Sequence, residues 1–233
     1  MNLPKPRTWN GIPVPYDARL DELRSYLRLP GPRAWAACQA LAHRPSRNAY
    51  GILLELTTSA DWRYRRSAIE ALSVHRLGGE SRQVICACFQ DPSPYVVRAA
   101  CEAVAGMKLH EAHGSVFGLL SSKDARLRTA ALRALEKIWE DSDFEAVLSA
   151  FRKDPATEAR RQSAWTLANN ASPENWQKLF EAWKDDPIPR HRVWACNLAE
   201  EFGDFRFRDP LLGLTEDKDG HVRKAARRAL TKI

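Results

Sequence analysis

The sequence predicts an all-α fold, a right-handed superhelix (an α-solenoid) of about seven stacked two-helix units. Three observations predict it. An alanine-rich helical segment recurs seven times at intervals of 31 or 32 residues. Inside each copy, small and aliphatic residues fall three and four apart, the spacing of one helix face rather than the period two of a strand. Turn formers, often Asp-Pro, precede the segment at a fixed distance, as in DPSPYVVRAACEAV at 91–104.

The recurring segments are PRAWAACQAL (32–41), YRRSAIEAL (64–72), VVRAACEAV (96–104), LRTAALRAL (127–135), ARRQSAWTL (159–167), HRVWACNLA (191–199) and VRKAARRAL (222–230). Their central small residues are Ala37, Ala68, Ala100, Ala131, Ser163, Ala195 and Ala226. Four residues on stand Leu41, Leu72, Val104, Leu135, Leu167, Ala199 and Leu230, so each segment carries one apolar stripe that a neighbour must cover. Between the copies lie second amphipathic stretches such as RNAYGILLEL (47–56), FEAVLSAF (144–151) and ENWQKLFEAW (174–183). Ser172 before Pro173 reads as a helix N-cap, and Ser142 reads the same way for the helix through Phe144. Each unit is then helix, turn, helix, linker, about fourteen helices in all. Residues 1–15, with Trp9, Ile12 and Val14, are expected to form an irregular lid, and residues 16–233 a single solenoid. The basic last helix, with Arg223, Lys224, Arg227 and Arg228, suits a terminal cap.

Composition narrows the functional classes. Hydrophobic residues make up 44% and charged residues 28%, which argues for a folded core rather than disorder. The net charge of +7 favours an acidic partner. Five cysteines with no CxxC argue against a disulfide framework or a zinc site, and fit a reduced, cytoplasmic setting. No run approaches 18 apolar residues, so no membrane span is expected. There is no phosphate-binding glycine loop and no nucleophile elbow.

The D-P-x-P-x-V-R-x-A-A-x-x-A-L style of unit resembles the HEAT-like repeats of the phycobilisome-lyase type, over essentially residues 16–233. The resemblance implies a HEAT-like architecture that serves scaffolds, chromophore lyases, a hydroxylase and DNA-repair proteins. The hydroxylase members hold metal through several His-Glu pairs; only His110-Glu111 is present here, so the metal set is incomplete. HEAT-like alkylpurine glycosylases are similar in size, charge and architecture, but no local motif matches theirs residue by residue. Neither a cofactor nor a metal is expected, and a non-catalytic module is favoured over an enzyme.

Two sets of side chains carry the functional expectation. Three residues before each central small residue lies a reference position, held by Arg65, Arg128, Arg160, Arg192 and Arg223, with Ala34 and Val97 in the remaining units. By resemblance these arginines pair with the turn aspartates Asp91, Asp154, Asp186 and Asp217 as a structural ladder. The next position and the one four further on point away from the Ala/Leu stripe. They place Trp35, Arg66, Arg98, Arg133, Arg161, Trp165, Lys224 and Arg228, with Trp194 at the margin, on the side that the resemblance makes concave. Arginine offers a rigid fork to carboxylate or phosphate, and tryptophan a flat face. The expected function is a scaffold binding an acidic protein or peptide through this face, with DNA or RNA as the alternative. Glu70 and Glu102, four residues after Arg66 and Arg98, are expected to neutralise part of it.

Overall fold

Helix pairs form where the 31–32-residue period places them. The computed structural model describes residues 8–9, 11–28, 31–75 and 81–233. Two compact units divide the chain at Ile138/Trp139.

The first unit opens with a two-residue antiparallel pairing, β1 (Thr8–Trp9) against β2 (Ile12–Pro13), with Gly11 at a φ of 80°. Then follow α1 (Leu20–Tyr26), α2 (Pro32–Ala42), α3 (Arg47–Leu56), α4 (Trp62–Leu72), α5 (Ser81–Ala87), α6 (Pro94–Met107), α7 (His113–Gly118) and α8 (Ala125–Leu135). The second unit holds α9 (Phe144–Lys153), α10 (Thr157–Asn170), α11 (Trp176–Trp183), α12 (Pro189–Phe202), α13 (Arg208–Leu214) and α14 (Gly220–Leu230). Even-numbered helices carry the reference positions and odd-numbered helices are their partners. Short 3₁₀ turns begin or end several of the odd ones. Among the described residues, no helix is long and apolar enough to cross a membrane.

Local chemistry sets the helix starts. Asp61, Asp124 and Asp219 cap α4, α8 and α14, each accepting a backbone N–H two residues on at 2.8–2.9 Å. Proline at the first position starts α2, α6 and α12. Two expected caps are different. Ser172 stands at its boundary, but its hydroxyl accepts from Asn175 Nδ2 at 3.2 Å rather than from the backbone. Ser142 caps nothing, because Glu140 and Asp143 form a reciprocal capping box and Asp143 reaches back to the Glu140 N–H at 3.1 Å.

The core follows the periodic stripe. Ala37, Ala68, Ala100, Ala131, Ser163, Ala195 and Ala226 are all fully buried. Small side chains at these points let adjacent even-numbered helices approach closely, and Leu41, Leu72, Leu135 and Leu167 fill the layer beneath. The N-terminal segment joins this core through Val14 and Leu23, which pack with Ala37, Leu41, Tyr50 and Leu53. Arg44 ties it down, donating Nη2 to the Tyr16 carbonyl at 2.9 Å and also to that of Ala18. The repeated cysteines Cys38, Cys101 and Cys196 are packing residues. Burial pushes their thiols up to about 12, so they stay protonated and unreactive.

Candidate partner-binding faces

Every reference arginine folds back onto its own turn. Nη1 of Arg65, Arg128, Arg160, Arg192 and Arg223 donates to the carbonyl six residues earlier, at 2.6–2.8 Å. Each turn aspartate in turn accepts the backbone N–H two residues on at 2.8 Å, at Asp91, Asp154, Asp186 and Asp217. The arginine fork also bridges successive repeats, as at Asp91 and Asp217. Arg65 grips Asp91 through Nε and Nη2 at 2.7 and 2.8 Å, and Arg192 grips Asp217 at the same distances. Both pairs are nearly buried, and the arginine beside each carboxyl holds it below the usual aspartate range.

The junction of α10 and α12 departs from this pattern. No Arg160–Asp186 pair is present among the described residues. Asp186 instead accepts from Nδ1 of His191 at 3.0 Å, a residue of its own repeat. Two residues after the reference position, the other helices carry Ala36, Ser67, Ala99, Ala130, Gln162 and Ala225, whereas α12 carries Trp194. Its ring meets His191 at 5.3 Å, Trp183 at 5.6 Å and Trp165 at 6.0 Å. A tryptophan thus fills a position that smaller residues hold elsewhere, and Trp165 is left 48% exposed. Burial pushes His191 below its ordinary value against the pull of Asp186, with Arg190 and Arg161 adding to the depression. The signal was present in the aligned repeats, where Trp194 is the one aromatic in its column.

The outward side of the even-numbered helices differs between the units. In the first, Arg66 is held by Glu70 at 2.7 Å and Arg98 by Glu102 at 3.6 Å. Burial pushes the Glu70 carboxyl above its ordinary value against the pull of Arg66. Trp35 is half-buried with its Nε1 enclosed and without a partner, and Gln39 beside it is buried. Arg133 is exposed. In the second unit, Arg161 and Trp165 lie one turn apart on α10. The nearest carboxylate to Arg161, Glu158, stands 3.7 Å away, and both side chains are about 60% exposed. Lys224 is exposed on α14. Arg228 is engaged by Glu200 at 2.6 Å and by Asn197 at 2.7 Å. Arg161, Trp165 and Trp194 therefore come together, while Arg66, Arg98 and Arg228 each hold a carboxylate.

The remaining tryptophans divide as their positions require. Trp183 is fully buried, and Trp176 donates Nε1 to the Ala171 carbonyl at 3.0 Å and sets its ring edge-on to Phe202. Trp62 is half-buried and stacks on Tyr95. Overall charge is uneven as well. Residues 1–138 carry 20 Lys and Arg against 12 Asp and Glu, and residues 139–233 carry 16 against 17.

Among the described residues, no three His, Cys, Asp or Glu side chains come together as a metal site. His110 and His113 lie at successive short helical segments, with His113 against Phe117.

Solved structures share this arrangement of helices at low identity. The E. coli protein YibA is similar with a TM-score of 0.65 and 14% identity over 94% of each chain. A designed armadillo repeat protein in complex with the peptide (KR)4 is similar with a TM-score of 0.59 and 20% identity, over 80% of this chain and 99% of that one. The CpcE–CpcF complex of phycocyanin lyase from Nostoc sp. has a TM-score of 0.55 and 15% identity over the full length of both. No curated protein matches the sequence. A family model described as HEAT repeats matches residues 21–105, 82–168 and 144–231. With nearly the whole chain matched and its helix pairs in register with the period, this protein belongs to the HEAT repeat family.

Proposed function

We propose that this HEAT repeat protein is a non-catalytic scaffold that binds an acidic protein segment through the outward side of its even-numbered helices. The observation that carries the reading is the group on α10 and α12. Trp165, 48% exposed, lies one turn from the exposed Arg161 and against Trp194. Exposed tryptophan beside arginine is the composition of binding hot spots, where a ring buries apolar area and a guanidinium grips a carboxylate. Arg161 is available because its contact with Glu158 is long and solvated, a pairing that contributes about 0–1 kcal/mol. Lys224 extends the cationic side in the second unit. Arg66, Arg98 and Arg228 contribute only by exchanging their present carboxylates for those of a partner. The designed armadillo repeat protein is in complex with a basic peptide. The cations here select the opposite sign. Five free cysteines fit a reducing compartment such as the cytoplasm.

The test is a fluorescence-anisotropy titration with a labelled peptide alternating glutamate and leucine, beside its lysine counterpart. Binding of the glutamate peptide alone, weakening with salt, is expected. Arg161→Glu with Trp165→Ala should weaken it by at least about tenfold, since hot-spot truncations cost roughly 2 kcal/mol or more. Equal binding of the lysine peptide, or no binding at low salt, overturns the reading. The second reading, DNA or RNA on the same faces, rests on the same exposed Trp165 beside Arg161; a labelled oligonucleotide that competes with the glutamate peptide for these residues would favour it.

A further inference from the structure

A different surface of the first unit joins flat aromatic rings to outward cations, and it lies at the turns rather than along the helices. Arg63, Tyr95 and Arg126 occupy the same repeat position, two residues before the reference, on α4, α6 and α8. All three are exposed. Trp62, the neighbour of Arg63, stacks on Tyr95 across the two repeats, with ring centroids 4.5 Å apart and planes inclined by 19°. The Arg63 guanidinium lies 4.9 Å from the Trp62 ring centroid. Lys123, three residues before Arg126, is exposed too.

The carboxylates of this edge are already engaged. Asp61 accepts the backbone N–H of Arg63 at 2.9 Å and its guanidinium at 3.4 Å. Asp91 is nearly buried under the fork of Arg65, and Asp124 accepts the Arg126 backbone N–H at 2.8 Å. Arg126 has no ion pair among the described residues. Lys123 and Arg126 thus project outward beside the Arg63–Asp61 pair, and the unit that carries this edge holds the chain's whole charge excess. In the second unit the equivalent positions are Glu158, Arg190 and His221, which do not continue the pattern.

We infer that the Arg63–Trp62–Tyr95–Arg126 edge is a docking surface for single-stranded nucleic acid. The Trp62–Tyr95 stack offers one flat, exposed face, 39% open at Tyr95, on which an unpaired base continues the stack. Arg63, Lys123 and Arg126 meet the phosphates on either side. Adjacent helices pack 8–10 Å apart, so the three positions span roughly 20 Å, room for a short unpaired segment rather than a duplex groove contact. Duplex DNA keeps its bases stacked on each other and cannot use the ring face. This surface is independent of the face proposed for an acidic protein, which lies along the helices and centres on Trp165.

The experiment is anisotropy of a fluorescein-labelled oligothymidylate of about 15 nucleotides with the full chain, against the same length of duplex and a polyglutamate peptide. Single strand is expected to bind more tightly than duplex, with affinity falling as salt rises. Tyr95→Ala should weaken it about tenfold, the loss of one base stack, whereas Tyr95→Phe keeps the ring and the affinity. Arg63→Glu with Arg126→Glu should abolish it. Circular dichroism confirms that each variant stays folded. No binding at low salt, equal affinity for duplex, or indifference to Tyr95→Ala and to the double charge reversal overturns the inference. Polyglutamate displacing the oligonucleotide at equal concentration would reassign the edge to an acidic peptide and overturn it as well.

Discussion

At the junction of α4 and α6, Arg65 closes a two-point grip on Asp91 and the residue facing the neighbouring helix is Ala99. At the junction of α10 and α12, Asp186 is held by His191 from its own repeat, and Trp194 stands where Ala99 stood. Both junctions follow the same repeat pattern, but the first exposes Tyr95 in the opening turn of α6, whereas the second exposes Trp165 in the middle of α10. The difference teaches how aromatic surface reaches solvent within a repeat: a rung of the ladder is surrendered, a small residue becomes a tryptophan, and Trp165 is left exposed.

The comparison is broken most forcefully at the ladder. Asp91→Ala leaves the nearly buried Arg65 without its carboxylate and should destabilise the first unit by about 3–5 kcal/mol in urea unfolding. Asp186→Ala removes a histidine's partner rather than an arginine's and should cost clearly less. Next comes packing. Ala99→Trp recreates the α12 column at an ordinary junction and should cost about 1–3 kcal/mol by overpacking. If it were neutral, the small residue would not be what closes the α4/α6 contact.

The two junctions also separate by pH. Asp91 and Asp217 have folded values below their unfolded one, so their contribution is complete above about pH 4 and is lost as pH falls through the folded value. His191 is likewise depressed, but from an unfolded value near about 6.5. Its contribution is complete above that pH and declines as pH falls below it, because the unfolded chain takes up the proton first. Stability should therefore begin to fall below about pH 6.5, and His191→Gln should shrink that limb to the share of His75, which burial also depresses, while leaving the acid limb in place. The smallest effect is expected at Glu158→Gln, under about 0.5 kcal/mol of stability, because its contact with Arg161 is solvated.

Much of this was legible in the sequence. Period and small-residue spacing located every even-numbered helix and the buried alanines, because close packing restricts those positions to small side chains. Ser172 stands at its N-cap as read, although its hydroxyl takes Asn175 Nδ2 rather than a backbone N–H, whereas the start at Ser142 was misjudged because Glu140 and Asp143 form the cap there. Arg66 and Arg98 were placed with their glutamates because that spacing lies within one helix. The His191–Asp186 contact was not, because nothing in the chain says which of two donors wins a carboxylate. The Trp62–Tyr95 stack joins two repeats, and its geometry depends on the offset between neighbouring turns, which a sequence period does not specify.

Hydrogen exchange across the whole chain, with and without the glutamate–leucine peptide, tests the central claim most directly. The account predicts protection in α10 and α12, centred on 161–165 and 193–197, with α9 and α11 unchanged. Protection confined to the odd-numbered helices, or none at saturating peptide, would contradict it.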